Sequence, residues 1–265
     1  MSELTEERIA AHLTTTRLGR SLELLVSTAS TNDDARRAAL AGARHGHVIV
    51  ADAQTRGRGS RGRDWHSPAG TDLYVSVLAE LPVPLSELPP LTLAVGLATA
   101  EALCSELGED AAVQVKWPND VWLRRRKLAG VLVESSSSGA ALEPLVIGIG
   151  INVNRVSFPS ELAPLATSLA LETGRQHDRA ALLATLLNRL EPWLERFVDE
   201  GPRPIVAALT RRLALAGERA RCDGVEGVVA GITEGGALLL RNDSGLHTCF
   251  SGTLRPCEGV GSAPA

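Results

Sequence analysis

The chain has 265 residues, 44% of them hydrophobic, and 27 Lys plus Arg set against 31 Asp plus Glu leave a formal net charge of −4. That is the profile of a soluble globular protein with one large domain, or one medium and one small domain. The acidic balance gives no global pull toward nucleic acid or an anionic membrane. No run of about 18 apolar residues offers a membrane span, and Met1–Arg8 lacks the basic stretch and apolar run of a secretory signal. Cys104, Cys222, Cys249 and Cys257 form no Cys-x-x-Cys pair, so they are expected as free thiols in the reducing cytoplasm.

In chain order, residues 3–13 read as a short helix and 22–26 as a strand. Ser30-Thr31-Asn32-Asp33-Asp34 reads as a helix N-terminus, with Ser30 or Thr31 capping and the two acids suited to the positive end of the helix dipole. That helix runs to about Ala41, with Gly42 as its C-cap. Val48–Ala51 is a short buried strand, 55–70 a Gly/Arg-rich loop, 73–81 a strand, 82–90 a Pro-rich loop and 91–107 a helix. Strands at 113–117, 120–123, 128–134 and 144–152 form an antiparallel meander, with Ser135–Ser138 as a loop. Residues 178–199 and 203–213 read as helices. After Gly217, β-like runs at 218–222, 225–232, 237–241 and 246–250 suggest a small all-β barrel. The expected domains are 1–213 and 214–265, and Gly261–Ala265 is expected to be disordered.

Of the 27 basic residues, only Lys116 and Lys127 are lysines. Where arginine serves elsewhere, these two positions are read as needing a compact ammonium that a planar guanidinium cannot replace. The loop Gln54-Thr-Arg-Gly-Arg-Gly-Ser-Arg-Gly-Arg-Asp-Trp65 alternates Arg56, Arg58, Arg61 and Arg63 with Gly57, Gly59 and Gly62. Glycine lets the backbone approach a ligand, and arginine binds carboxylate and phosphate through paired donors. The glycines match G-x-G-x-x-G, yet no helix follows, which rules against a dinucleotide fold, and no P-loop is present. Alone, the loop could equally be a solvated basic segment.

Lys116-Trp-Pro-Asn-Asp120 reads as a strand ending in a rigid turn, because Pro118 forces Trp117 to be extended. It presents a lysine, an amide and a carboxylate together. Asp120 could hold Mg²⁺ and Asn119 a base or phosphate, or the pair could simply serve a hairpin turn. Arg124–Arg126 read as an exposed hairpin tip from which Lys127-Leu-Ala-Gly130 opens the next strand. Gly148-Ile-Gly-Ile-Asn-Val-Asn154 is either a strand end allowing close approach or a tightly packed core strand. His45 and His47, the one close histidine pair, lack a third metal ligand.

Taken in this order, Ser30-Thr31-Asn32, the Gly/Arg loop ending in Trp65, Lys116–Asp120, Lys127–Gly130 and Gly148–Asn152 resemble the biotin protein ligase family. The resemblance is close over 22–155 and loose beyond, through Gly235–Leu240 and Ser251–Arg255. It implies an α+β fold: a mixed or antiparallel sheet with flanking helices, of the class II synthetase-like biotin/lipoate ligase type, followed by a small β-barrel. It also implies ATP-dependent conversion of biotin to biotinyl-5'-AMP, with Mg²⁺, and transfer to a lysine of a biotin carboxyl carrier domain of a carboxylase. Ser30, Thr31, Asn32, Gln54, Gly57, Arg58, Arg61, Lys127 and Gly130 would line the biotin site. Arg58, Arg61, Arg63, Trp65, Lys116, Asn119, Asp120 and Asn152 would meet ATP or the adenylate, with Asp120 as the metal ligand. Lys127, Arg58, Asp120 and Lys116 would carry catalysis, and Asp120 is also the candidate to accept the proton of the attacking amine. The family loop reads Gly-Arg-Gly-Arg where this chain has Gly57-Arg58-Gly59-Ser60, which puts retention of the adenylate in question. About 20 residues precede the first strand, too few for a winged helix-turn-helix, so no DNA partner is expected. The alternatives on the same fold are a lipoate or octanoate ligase or transferase and a non-catalytic biotin sensor.

Overall fold

The computed structural model describes residues 4–108, 112–135, 137–138, 141–142 and 145–257. The disorder expected for Gly261–Ala265 lies outside them. Strands β1 (Ser21–Leu25), β2 (His47–Ala51), β3 (Leu73–Ala79), β4 (Val113–Lys116), β5 (Asp120–Leu123) and β6 (Arg126–Glu134) are followed by a small hairpin, β7 (Ser137–Ser138) and β8 (Ala141–Leu142), and then by β9 (Leu145–Ile151). Seven of them form one mixed sheet in the order β1-β2-β3-β9-β6-β5-β4. Only β1 and β2 run parallel; the other neighbours are antiparallel. The meander read from 113 to 152 is present as β4-β5-β6-β9. The expected loop at Ser135–Ser138 instead starts the β7–β8 hairpin.

The two faces of the sheet are covered differently, and that difference creates the site. Val48, Val50, Val75 and Val77 join a large core with helices α3 (Leu91–Leu107) and α5 (Arg179–Glu200). Ile49, Leu78 and Val146, on the other face, pack under Ala35 of helix α2 (Thr31–Leu40). Successive strand residues point to opposite faces. The face under α2 is therefore built from Tyr74, Ser76 and Leu78 of β3, Gly148 and Gly150 of β9, and Gly130, Leu132 and Glu134 of β6 in cross-strand register. Three of these positions lack a side chain, so the face is hollow where α2 does not reach.

Helix α3 matches the sequence reading because nearly every position is buried and apolar. The helix expected at 3–13 is shorter, α1 (Glu6–Ala10), capped by Thr5. The one expected at 203–213 stops as α6 (Arg203–Leu209). Beyond it, Val115 N donates to Arg212 O and Ala214 N to Val115 O, so the chain satisfies the edge of β4 rather than continuing a helix. A short helix, α4 (Leu169–Thr173), was not anticipated.

The C-terminal β unit is a five-stranded antiparallel sheet, β13-β12-β11-β10-β14. Its strands are β10 (Arg219–Cys222), β11 (Val225–Ile232), β12 (Leu238–Asn242), β13 (Gly245–Cys249) and β14 (Leu254–Pro256), the last of which the sequence pattern did not reveal. Asp223 and Gly224 turn β10 into β11 with φ of 44° and 91°, the positive values that a tight hairpin requires. Trp117, 2% exposed, donates from its indole N–H to Gly236 O at 2.9 Å, tying this sheet to the motif Lys116–Asp120. No helix among the described residues is long and apolar enough to cross a membrane.

Candidate active site

Helix α2 starts at Thr31, and its first turn points into the hollow face. Ser30 occupies the N-cap position but makes no side-chain capping bond; it lines a cleft with Thr31, Asn32, Gln54, Arg58 and Lys127. The floor is a connected set of buried polar groups. Gln54 Oε1 accepts from Thr31 N at 3.0 Å and from Thr31 Oγ1 at 3.2 Å, while Gln54 Nε2 donates to Ser67 Oγ at 3.0 Å. Ser76, fully buried on β3, donates to Asn32 Oδ1 at 2.6 Å and lies 2.8 Å from Thr31 Oγ1. Asn32 Nδ2 donates to Glu134 Oε2 at 2.6 Å. Bonded to one another, these groups are held in fixed orientations.

The glycines explain how the indole of Trp65 enters. Gly130 and Gly150 sit opposite each other on β6 and β9, and Trp65 lies on the bare backbone they expose. A Cβ on Gly150 would fall 2.5 Å from the ring, and one on Gly130 2.9 Å from it. At Gly148 a Cβ would collide with the Asn32 amide. Gly57 closes the Gly/Arg loop: Trp65 N donates to Gly57 O at 2.9 Å, and a Cβ there would lie 2.5 Å from Trp65 O.

The chain's two lysines converge on one carboxylate. Lys127 Nζ is 2.6 Å from Asp120 Oδ1 and Lys116 Nζ is 3.4 Å from Asp120 Oδ2. Lys127 also stands 4.9 Å from the Trp65 ring centre, and Lys116 4.8 Å from that of Trp122. Burial alone would raise the Asp120 pKa, but the Lys127 and Lys116 charges outweigh it and hold the carboxyl below the usual range. Burial pushes Lys116 down, against the pull of Asp120. Lys127 is fixed by its own backbone: Lys127 N donates to Leu165 O at 2.8 Å, and Thr167 N donates to Lys127 O at 2.9 Å.

The four loop arginines diverge. Arg58 reaches Asp33 with both terminal nitrogens, at 2.6 and 2.8 Å. Arg61, at φ 62°, turns away and donates to Thr253 Oγ1 of the C-terminal unit at 2.6 Å. Arg63 folds back on Ser60, donating to its carbonyl and hydroxyl at 3.2 and 3.1 Å. Arg56 is exposed. Arg61, Arg63, Lys116, Asn119 and Asp120 line a second, smaller recess beside the cleft. Asn119 Nδ2 is engaged with Val131 O at 2.8 Å. Asn152, expected at an adenine, does not line the cleft; its amide donates to Thr167 O and Lys127 O at 2.9 and 3.3 Å and so braces the strand start that carries Lys127. Gly130 and Trp65 line the cleft.

Asp120 does not fit the role of a resident Mg²⁺ ligand. It is the one carboxylate lining either recess, and two ammonium groups already neutralise it, so a cation there would be repelled. Among the described residues no cluster of three or more His, Cys, Asp or Glu could hold a metal. Ser76, Ser67 and Glu134 were missed by the sequence reading. Ser76 carried one usable signal: a serine in a strand whose other residues are aliphatic or aromatic and which is buried at every position.

A polar floor under an anion-seeking loop, with two lysines beside it, is the arrangement an acid-activating enzyme requires, and comparison with known proteins agrees. The model of the biotin/lipoate A/B protein ligase family matches residues 24–152. The biotin–[acetyl-CoA-carboxylase] ligase of Paracoccus denitrificans is 35% identical over 84% of this chain and 95% of its own length. The chain belongs to this family. The bifunctional ligase/repressor BirA of Bacillus subtilis is 32% identical, matching 95% of this chain and 79% of its own. Among solved structures, the biotin protein ligase of Aquifex aeolicus in complex with biotin and ATP superposes with a TM-score of 0.80 at 33% identity, covering 90% of this chain and all of that one.

Proposed function

We propose that the chain is a biotin protein ligase, which condenses biotin with ATP to biotinyl-5'-AMP and pyrophosphate and then passes the biotinyl group to a lysine of a carboxylase carrier domain. The observation that carries this reading is that the Ser30–Thr31–Gln54 floor, Arg58 and Lys127 open into one cleft, on a fold shared with a ligase solved with biotin and ATP. The floor offers fixed donors and acceptors to a ureido group, and the hollow glycine face gives a flat ring system room beside Trp65.

In the first step the biotin carboxylate attacks the α-phosphorus, and the bond to the bridging oxygen of pyrophosphate breaks. Both reactants are anions, so positive charge fixed in advance lowers the barrier. Lys127 is placed for the carboxylate and α-phosphate, and Arg61, Arg63 and Lys116, around the smaller recess, for the departing pyrophosphate. In the second step a neutral carrier amine attacks the acyl carbon, the bond from that carbon to the AMP oxygen breaks, and the amine's proton passes to solvent or to the departing phosphate. Asp120 is a poor base for that amine, because its carboxyl is held below the usual range and general bases work best near the operating pH. We assign it instead to holding Lys116 and Lys127 in place. A reducing cytoplasm is the compartment we infer from the four cysteines, none of which is in a disulfide bond.

The test is ATP–pyrophosphate exchange with biotin, with lipoate and with neither. Biotin-dependent exchange supports the assignment; exchange with lipoate alone moves it to the sister ligases of the family.

A further inference from the structure

Lys127 faces the cleft against the alternation of its own strand. On β6 the residues under α2 are Gly130, Leu132 and Glu134, so regular alternation would place Leu128 on that face and Lys127 in the core. The reverse is found. Leu128 and Ala129, though consecutive, are both buried in the core cluster, and Lys127 lines the cleft. A one-residue bulge makes the exchange: Val121 of β5 pairs with Ala129 but Trp122 pairs with Lys127, which leaves Leu128 as the extra residue. A bulge interrupts the ladder, and Lys127 takes its backbone bonds from elsewhere, donating to Leu165 O and accepting from Thr167 N. The turn just before it is strained as well. Arg124 and Arg125 have φ of 48° and 62°, values that residues with a Cβ keep only where the surrounding structure holds them.

Glu172 of α4 ties these parts together. Its side chain is 2% exposed. It accepts from Arg126 Nη2 and from Thr167 Oγ1, each at 2.6 Å, and meets Arg124 Nη1 at 3.1 Å. Arg124 and Arg126 belong to the strained turn, and Thr167 to the segment that pairs with Lys127. Glu172 itself lines neither recess. We propose that Glu172 is a positioning residue: by fastening the β5–β6 turn to residues 165–167, it holds the bulge that turns Lys127 into the cleft beside Asp120 and Trp65. Charge-assisted bonds to a carboxylate are stronger than neutral ones, which suits a strained element. The arginine side chains are 74% and 38% exposed, so neutralising Glu172 leaves them to water and strands no charge in the interior. The consequence for activation of an acid rests on the ligase reading; the placement of Lys127 does not.

The two lysines of the chain make a clean test. In the full chain grown with lysine isotope-labelled at Cε, NMR shows one side-chain signal for each, told apart by Lys127→Arg. Lys127 lies 4.9 Å from the Trp65 ring centre and Lys116 4.8 Å from that of Trp122, so a different ring displaces each signal. In Glu172→Gln the Lys127 signal should move toward that of free lysine while the Lys116 signal stays. Arg126→Gln removes the same bond from its exposed end and should give the same shift; it decides the matter if Glu172→Gln does not fold. An unmoved Lys127 signal would overturn the proposal, and so would equal movement of both signals, the mark of a merely structural role. Biotin-dependent pyrophosphate exchange should fall about 10- to 100-fold in Glu172→Gln, the scale of misplacing a reacting group by about an ångström. It should fall no further when Glu172→Gln is added to Lys127→Ala; additive losses would overturn the route through Lys127. Arg125→Ala, which breaks the neighbouring exposed pair with Glu218, should leave both readouts unchanged, and an equal loss there would overturn the assignment to Glu172. If the wild type showed no biotin-dependent exchange, the ligase reading would fail, and the lysine signals would still decide the placement.

Discussion

Lys127 and Asp120 show what a single residue does here. Lys127 is anchored by its backbone and lies 2.6 Å from Asp120. Lys127→Ala should lower biotin-dependent pyrophosphate exchange by about 100- to 1000-fold, the usual effect of removing one preorganised charge from a reacting centre. Lys127→Arg should restore little, because a planar fork cannot take the place of a compact ammonium beside Trp65; recovery to near wild-type rate would refute the reading of the two retained lysines. Ser60 stands where the resemblance to the family leads us to expect an arginine, and its hydroxyl accepts from Arg63. Ser60→Arg should slow release of the intermediate, measured by chase of labelled adenylate, and an unchanged rate would refute that. The sequence made Lys116, Asp120 and Lys127 legible because rare lysines flank a distinctive turn. It could not separate the loop arginines, since the partners of Arg58 and Arg61 (Asp33 and Thr253) lie on other elements. Glu134 was invisible for the same reason: a lone acid at a strand end has no characteristic spacing.

At the scale of elements, the facing glycines of β6 and β9 define the cleft. Gly150→Ala would drive a methyl group into the Trp65 ring, which it would approach at 2.5 Å. The cost should be about 1–3 kcal/mol, as for overpacked cores, together with weaker biotin binding; thermal melts and titration would check both. An Ala variant with wild-type stability and affinity would show that Trp65 is not seated on this patch. Helix α3 and the β4–β9 meander were legible because a long apolar run and short turns are local signals. The parallel pairing of β1 with β2 was not, and nor was the return of residues 212–214 to the edge of β4, because strand order is settled by packing between distant segments.

At the scale of the whole molecule, the buried ionic centre ties pH to stability. The Asp120 carboxyl titrates below its ordinary value of 3.8, so its stabilising contribution is complete above that value and is lost as pH falls through the lower folded one. Asp120→Asn leaves two lysines without their counter-charge and should cost about 3 kcal/mol, constant from about pH 5 to 8 and shrinking below pH 4. Melts of both proteins across that range would show it; a difference that grew on acidification would contradict the sign. The C-terminal sheet meets the same centre through Trp117 and Gly236 and through Thr253 and Arg61, so changes in that sheet should be felt at the cleft.

The most direct test of the central claim is ATP–pyrophosphate exchange by the purified chain, with and without biotin. The account predicts exchange that appears only with biotin and collapses in Lys127→Ala while the fold survives. Exchange without biotin, or full exchange in Lys127→Ala, would contradict it.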